Sequence, residues 1–321
     1  MKDVAKATGL SLATVSRVFN GSEKVTEKTR KTVMKAAEKL NFRPNKMAAA
    51  LRSGKSKTIG VVVPIIDNDV FASAIKSMES YLRSYGYHII ISQSHESLAE
   101  EKEILDNLLN LQVDGVIISV SKETLNMDHM SSLISQGAAI VLFDRRLELA
   151  EVNSVIVNNF MGAYQATAHL IDEGCKRIIH LAGKDSVSIF KERIRGYESA
   201  LEAHGLSLNP QDVIPFDEHD SAEGLARLKT VLESENRPDG IFAHGDHCAV
   251  EAIRLMKELE IKIPKEVSII GFGDSSFCSY VTPELSSINQ RNEDIGELAA
   301  GILLDELTKE KHKRVSTQSM L

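Results

Sequence analysis

The stretch DVAKATGLSLATVSRVF, residues 3–19, decides how the start of this chain folds. A helical pattern over residues 3–8 stops at Gly9, and a second begins after Leu10 with Ser11 as its predicted N-cap. Two short helices joined by a glycine turn are typical of a helix-turn-helix, whose second helix lies in the major groove of DNA. The pattern alone leaves open an ordinary pair of amphipathic helices.

The second helix, residues 12–19, has one apolar and one polar face. Val15, Val18 and Phe19 share a side at helical spacing and are predicted to pack inward. Arg17 points outward and is the side chain here able to form a two-pronged hydrogen bond with guanine. The small polar side chains suit phosphate contacts, which fix the register on the duplex. The residues predicted to contact DNA in this region are Ser11, Leu12, Ala13, Thr14, Ser16, Arg17, Asn20, Thr26 and Thr29. Of these, Thr26 should also cap a third helix from residue 27 to about 40.

Charge is distributed unevenly along the chain. Residues 1–57 hold 14 Lys and Arg against 4 Asp and Glu, whereas the remainder holds 24 against 41, although the net charge of the whole chain is only -7. A basic module followed by an acidic globular part is what a nucleic-acid-binding protein would show. A basic solvated tail is the alternative on charge alone.

Length and composition exclude several classes of protein. A chain of 321 residues predicts two or three folding units. The three cysteines are far apart and in no CxxC spacing, so neither a disulfide framework nor a zinc finger is indicated. No signal-peptide pattern and no run of about 18 apolar residues occurs. We therefore expect a cytoplasmic protein with no membrane contact.

Beyond residue 58 the sequence alternates short β-branched runs with amphipathic helical patterns. Strands are predicted at 59–63, 88–92, 116–120, 140–143, 177–182, 213–216, 240–243 and 268–271, and helices at 71–85, 100–111, 130–136, 194–204 and 249–260. This βαβ rhythm predicts parallel sheets in two doubly wound subdomains. Parallel sheets bind ligands at the carboxyl ends of their strands, so the cleft between two such sheets is the expected small-molecule site.

Three segments resemble the lactose/galactose repressor family of bacterial transcription regulators: residues 7–33, ATGLSLATVSRVFNGSEKVTEKTRKTV; residues 41–64, NFRPNKMAAALRSGKSKTIGVVVP; and residues 192–201, ERIRGYESAL. The resemblance extends essentially from end to end. It implies a small all-α helix-turn-helix headpiece, residues 1–44, and a hinge helix and linker, residues 45–57. It also implies an α/β core of two doubly wound parallel-sheet subdomains, similar to periplasmic binding proteins, over residues 58–321.

For the hinge, the resemblance implies a helix over residues 45–51 that is ordered on operator DNA. Leu51 would be wedged into the minor groove and kink the duplex, while Asn45 and Ala48 would complete the contact. An exposed apolar residue in a linker is the alternative for Leu51.

For the core, the resemblance implies that Phe71, Asp144 and Arg193 line the effector cleft, and Gln290 lies at a crossover between subdomains. The complete set of residues predicted to bind the effector is Phe71, Asp144, Arg145, Arg193, His219, Asp246, Asp274 and Gln290. Other roles remain open: a helix N-cap for either Asp144 or Asp246, a surface ion pair for Arg193, and the core for Phe71.

One position departs from the family pattern. Relatives that bind sugars or purines typically carry an aspartate directly after Gly-Phe or Gly-Tyr, but here Gly271-Phe272 is followed by Gly273 and then Asp274. An altered ligand, a shifted pose or the use of Asp274 would each accommodate this change.

Together these features predict a transcription regulator, a repressor in the simplest case, whose operator affinity a small molecule controls. The expected partners are near-palindromic double-stranded operator DNA, an effector for which the resemblance favours carbohydrate, and a second copy of the chain in a homodimer or a pair of dimers. No cofactor or metal is expected, and no catalytic motif indicates an enzyme. A solute-binding protein of periplasmic type and a metabolic enzyme are the alternatives.

Overall fold

The computed structural model describes residues 1–19, 22, 24–42, 55–145, 147, 152–183, 188–217, 221–308 and 317–320. The chain forms two compact units, Met1–Lys57 and Thr58–Leu321. In the described part of the chain, no helix has the length and apolar character needed to cross a membrane.

The first unit consists of three described helices, α1 (Lys2–Thr8), α2 (Leu12–Phe19) and α3 (Glu27–Lys39). Gly9 ends α1 with a φ of 66°, a left-handed conformation that glycine adopts without the usual steric cost. The helices enclose a small core of Val4, Val15, Val18, Val33 and Ala37. The predicted inward face of the second helix is therefore confirmed.

The first sheet of the second unit is parallel throughout, in the strand order β11-β5-β4-β3-β1-β2. Its strands are β1 (Thr58–Val63), β2 (His88–Gln93), β3 (Gly115–Ile118), β4 (Ala139–Phe143), β5 (Asn153–Val157) and β11 (Thr317–Met320). The helices on its side are α4 (Asp69–Ser84), α5 (Leu98–Asn110), α6 (Ser131–Ser135) and α11 (Asn292–Thr308). β1, β3 and β4 are buried almost end to end, as β-branched runs covered by helices on both faces should be.

The second sheet is also parallel, in the order β10-β9-β8-β6-β7. Its strands are β6 (Ile178–Ala182), β7 (Val213–Pro215), β8 (Gly240–Ala243), β9 (Ser268–Gly273) and β10 (Ser286–Asn289). Its helices are α7 (Asn159–Asp172), α8 (Ser188–Ala203), α9 (Ala222–Leu232) and α10 (Asp246–Glu258). The two doubly wound halves that the βαβ rhythm predicts are thus present.

The two halves are interleaved in the chain. After β5 the chain passes from the first half to the second, where α7 packs on β8 and β9. It returns after β10, because α11 packs against α4, β3 and β4 of the first half. Gln290 lies in this return between β10 and α11, where the sequence predicted a crossover.

Two glycines allow helices to approach each other closely. A Cβ atom on Gly196 of α8 would lie 2.2 Å from the carbonyl oxygen of Phe160 in α7. One on Gly296 of α11 would lie 2.2 Å from the carbonyl oxygen of Ala74 in α4. Both distances are too short for any side chain, so these helix pairs depend on the missing Cβ.

The predicted strands agree with the structure to within two residues at each end, but four of the five helices predicted in the second unit begin too late. α8 starts at Ser188 instead of residue 194, and α4 starts at Asp69 instead of residue 71. The reason is that polar first turns break the apolar pattern: Asn68 caps α4 and Ser97 caps α5 through side-chain oxygens that accept backbone N–H bonds. The hinge prediction lies largely outside the described residues and stays a prediction.

Candidate functional site

α2 has one exposed face and one buried face. Leu12 is 47% exposed and Arg17 is also exposed, whereas Val15 and Val18 are buried against the other two helices. The Ser11 hydroxyl accepts a hydrogen bond from the Thr14 backbone N–H at 3.1 Å, which caps the helix as predicted.

Thr26 caps α3 in the same way, by accepting from the backbone N–H of Thr29. Among the predicted DNA contacts, Ser11, Leu12, Ala13, Arg17 and Thr26 are exposed, and Thr14, Ser16 and Thr29 are half-buried. Asn20, Asn45, Ala48 and Leu51 lie outside the described residues.

Arg30 of α3 holds the end of α2 in place, a role that was not predicted from the sequence. Its guanidinium donates to the carbonyl oxygens of Val18, at 3.4 Å, and Ser22, at 3.0 Å. Carbonyl groups at the end of a helix have no partner within the helix and carry partial negative charge, so a cation there is favourable. The sequence offered one signal for this role, a basic residue in the first turn of the predicted third helix.

In the second unit, a cavity of about 180 Å³ lies at the carboxyl ends of strands from both sheets. Six predicted effector residues line it: Phe71, Asp144, Arg145, Arg193, Asp246 and Gln290. Asp274 does not; its side chain is exposed, with the carboxylate accepting from the Asn289 side-chain amide at 2.7 Å. His219 lies outside the described residues.

Asp144 and Arg145 follow β4 directly. Both terminal nitrogens of Arg145 lie 2.7 Å from carboxylate oxygens of Glu96, and one of them also donates to the Val120 carbonyl at 2.9 Å. Burial acts to raise the pKa of Glu96, but its bonds to Arg145 and Arg145's charge hold that pKa below its usual value. Burial raises the pKa of Asp144, and its bond from Ser119 and the nearby arginine charges only partly oppose that rise.

Arg193 of α8 is 5% exposed, so it is not a surface ion-pair partner. Its Nε donates to the side-chain oxygen of Asn159 at 2.9 Å, and one terminal nitrogen donates to the His244 carbonyl. The guanidinium stacks on the Phe272 ring, 3.7 Å from its centre. Phe71 is both a core residue and a lining residue, packed edge-on against Phe143.

Asp246 is the first residue of α10, whose N-cap is Gly245, so the N-cap role is wrong for Asp246. Its carboxylate accepts from the Ser287 hydroxyl at 2.5 Å and the Ser275 backbone N–H at 2.8 Å. A Cβ on Gly273 would lie 2.9 Å from this carboxylate. The glycine that departs from the family pattern therefore leaves room for Asp246.

Other lining residues were not among the predicted ones. Glu96 follows β2, so the rule that ligands bind at strand ends could have found it. Phe190, in the first turn of α8, lies in the segment 184–193 that the strand-end rule also selected, although it was not singled out as a binding residue. Phe272 is the next-to-last residue of β9, where the apolar pattern does not separate a lining residue from a core residue. His244 is buried, and burial together with the charge of Arg193 lowers its pKa to about 3, so its imidazole is neutral at physiological pH.

One pair of hydrogen bonds joins the two halves across the cavity. Asp69, in the first turn of α4, accepts from the Ser276 backbone N–H at 2.8 Å and from the Ser276 hydroxyl at 2.7 Å. Ser276 follows β9 of the second half. The two halves are therefore held together at this edge in the structure.

Comparison with known proteins shows that the chain is similar to bacterial transcription regulators. The model for bacterial regulatory proteins of the lacI family matches residues 1–45, and that for a periplasmic binding protein-like domain matches residues 167–320. Catabolite control protein A of Priestia megaterium is 33% identical over 310 residues, which are 96% of this chain and 92% of that protein. The transcriptional repressor PurR of Aliivibrio fischeri is 31% identical, covering 98% of this chain and 93% of the repressor.

Solved structures show the same architecture. The transcriptional regulator CelR in complex with cellobiose is 26% identical with a TM-score of 0.72, and the match covers 99% of this chain and 96% of CelR. The lac repressor dimer bound to operator and an anti-inducer has a TM-score of 0.84 at 24% identity, covering 99% of this chain and 95% of that one. The latter likeness is one of fold.

Proposed function

The chain belongs to the lacI family of bacterial regulatory proteins, and from that premise we propose that its first unit binds operator DNA under the control of a small molecule held in the cavity of the second. As a member of this family it is a DNA-binding transcription regulator and not an enzyme. The observation that carries the proposal is the cavity, which six predicted effector residues line at the strand ends of both sheets.

For DNA binding, we assign the contact with a base edge to Arg17. The polar residues around α2 would contact phosphates and so fix the register of the protein on the duplex. Arg17 is exposed on a helix whose opposite face is buried, and Arg30 fixes the end of that helix. A homodimer would present two such helices to the two halves of a near-palindromic operator, because two-fold symmetry in the protein matches two-fold symmetry in the site.

For control, we assign the effector to the cavity between the halves. A ligand that contacts Asp144 in one half and Asp246 in the other would hold the two halves together, as the Asp69–Ser276 hydrogen bonds also do. A ligand shifts operator affinity only by its differential affinity for two states of the protein. A 100-fold change requires about 2.7 kcal/mol, within reach of a few charge-assisted hydrogen bonds.

We retain the division into a headpiece (1–44), a hinge helix with linker (45–57) and a core (58–321), and the cytoplasm as the place where the protein meets its operator. The hinge would couple the two units through Leu51 in the minor groove. Operator bending by the Leu51→Ala variant tests this role: reduced bending is expected, and unchanged bending contradicts it.

The experiment that tests the function is selection of genomic fragments by the purified full-length protein. We expect enrichment of one short inverted repeat, and the genes beside it would indicate the effector. The Arg17→Ala variant is the control, since it keeps the fold but removes the predicted base contact. No enrichment by the native protein, with and without candidate effectors, would contradict the proposal.

A further inference from the structure

A short segment of the second half, residues 273–276, contacts the first half at both of its ends. At one end, the side-chain amide of Asn292, the first residue of α11, donates to the Gly273 carbonyl at 3.3 Å. At the other end, one carboxylate oxygen of Asp69 accepts from the Ser276 backbone N–H at 2.8 Å and from its hydroxyl at 2.7 Å. Both contacts consist of protein atoms alone, so neither needs a ligand in the cavity in order to form.

The place of Asp69 in α4 positions it for this contact. Asp69 is the first residue of the helix, and the Asn68 side chain caps the helix by accepting from the Val70 N–H at 2.9 Å. A helix N-terminus carries partial positive charge, which favours a carboxylate at this position. Asp69 also lines the cavity. A carboxylate of the cavity wall is therefore bound to the opposite half.

Ser276 presents a backbone donor that its own helix does not use. It begins a short 3₁₀ helix, Ser276–Ser279, and the first N–H groups of a helix have no acceptor within that helix. Asp69 supplies the acceptor from the other half, and hydrogen bonds to an ionised group are stronger than those between neutral groups. Because Ser276 is exposed, water can replace Asp69 when the bonds break. The contact is therefore able to open and to form again.

The preceding amide connects this contact to the cavity. The Ser275 N–H donates to the Asp246 carboxylate at 2.8 Å, and Asp246 lines the cavity from within the second half. Two consecutive amides are thus bound by two carboxylates of the cavity wall, one from each half. The Asp246 bond lies within one half and persists when the halves separate, whereas the Asp69 bonds must break. Asp246 therefore fixes the position in which Ser276 meets Asp69.

We propose that Asp69 and Ser276 form a latch between the halves, which the Asp246–Ser275 bond anchors. Asp69 is then a positioning residue, because it sets the share of the protein in which the latch is formed. The latch shifts the equilibrium between the two arrangements before a ligand binds, so it also sets the fraction of the protein that is competent to bind one. Its consequence for the operator rests on the function proposed above, but the latch itself does not.

Hydrogen exchange resolved to single amides tests the latch on the purified full-length protein. Asp69→Ala should speed exchange of the Ser276 amide by about tenfold or more and leave the Ser275 amide protected, because the acceptor of Ser275 lies in its own half. Asp69→Asn keeps an acceptor oxygen but loses the charge, so it should give an intermediate rate. Asp67→Ala is the matched control, since it removes an exposed carboxylate two residues earlier. Equal Ser276 rates in the native protein and Asp69→Ala would overturn the latch.

A second variant tests the anchor. Asp246→Ala should speed exchange of both the Ser275 and the Ser276 amides, because the segment then loses the bond that fixes its position. The amides of β8, which pairs with strands on both sides, should stay protected and show that the variant is folded. If exchange at Ser276 is unchanged in this folded variant, Asp246 does not anchor the latch.

Operator affinity tests the consequence for regulation, with the inverted repeat selected by the native protein as the probe. Asp69→Ala should change this affinity by at least about fivefold, and Asp67→Ala should not. A weaker affinity would assign operator binding to the latched arrangement, and a tighter one to the unlatched arrangement. Faster Ser276 exchange with unchanged operator affinity would contradict the regulatory role. If the native protein selected no inverted repeat, the proposed function would fail, while hydrogen exchange would still decide whether the latch forms.

Discussion

The guanidinium carbon of Arg193 lies 3.7 Å from the centre of the Phe272 ring, so a helix of the second half and a strand of its sheet meet through a buried cation. The same guanidinium binds Asn159, which begins α7 directly after the chain crosses between the halves. Arg193 therefore connects the cavity, the sheet and the crossover.

Replacing Arg193 with lysine should weaken both ligand binding and stability. Lysine keeps the charge but lacks the planar fork that binds two partners and stacks on an aromatic ring. We expect a loss of about 2–4 kcal/mol in the free energy of unfolding, measured by chemical denaturation. Arg195→Lys, in the same helix but exposed, is the control. Equal stability of the two variants would contradict the role.

Gly296→Ala and Gly301→Ala form a second pair of variants within one helix, α11. The first places a Cβ 2.2 Å from the Ala74 carbonyl and should destabilise the second unit by about 1–3 kcal/mol. The second meets no atom closer than 3.5 Å and should stabilise by up to about 1 kcal/mol, since alanine favours helix. The midpoints of thermal unfolding of both variants measure the difference in stability. Similar midpoints would contradict the argument that Gly296 is needed for the close packing of α11 on α4.

His180 should make stability depend on pH. Burial lowers its pKa to about 4 from an ordinary value of 6.5, so the folded state holds the neutral imidazole. The contribution of His180 to the free energy of unfolding is fully present above pH 6.5. It falls by about 3 kcal/mol as the pH is lowered towards 4, because the unfolded state then binds a proton that the folded state does not. Compared with His180→Gln, the native protein should lose more free energy of unfolding over this range. Parallel pH profiles would show that the histidine is not responsible.

Arg17→Ala should relax operator specificity at one base position and cost about 1–3 kcal/mol of binding free energy. Binding to operators substituted at each position in turn measures this loss. A uniform weakening across all of them would instead make Arg17 a phosphate contact. Lys35→Ala, an exposed cation of α3, is the control for charge alone.

Glu101 of α5 is fully buried and should stabilise the conformation of the loop that follows β3. Its carboxylate accepts from the Ser121 N–H at 2.6 Å, from the Thr124 hydroxyl at 2.9 Å and from His129 at 2.7 Å. Glu101→Gln replaces an acceptor with a donor and should cost about 2–4 kcal/mol in chemical denaturation. Glu103→Gln, exposed on the same helix, should cost much less, and comparable losses would contradict the argument.

The sequence predicts the parts of the fold that have a strong pattern. Apolar runs such as the one in β1 and the spacing of Val15 and Val18 in α2 carry enough signal to place these elements. β5, β10, β11, α7, α9 and α11 were not predicted. β5 and β10 each begin with two polar residues, Asn-Ser and Ser-Ser, and α11 is interrupted by small residues. Whether a strand belongs to the first or the second sheet depends on contacts distant in sequence.

The lining residues of the cavity were predictable where an aspartate follows the carboxyl end of a strand. Asp144 and Asp246 follow β4 and β8, and the strand-end rule selects both. The rule also selected Asp274, but its backbone has a φ of 54° and its side chain is held outside the cavity by Asn289. Short-range backbone geometry of this kind leaves no pattern in the residues around it.

Because the chain passes from the first half to the second after β5 and returns after β10, the second half is one continuous stretch of the gene, inserted between the two stretches that encode the first half. A single recombination breakpoint within the core therefore cannot exchange one half for a homologous half while leaving the other intact. Ligand preference, to which both halves contribute residues, would then evolve by point substitution within the cavity or by replacement of the whole core, as the change to Gly273 beside Asp246 illustrates.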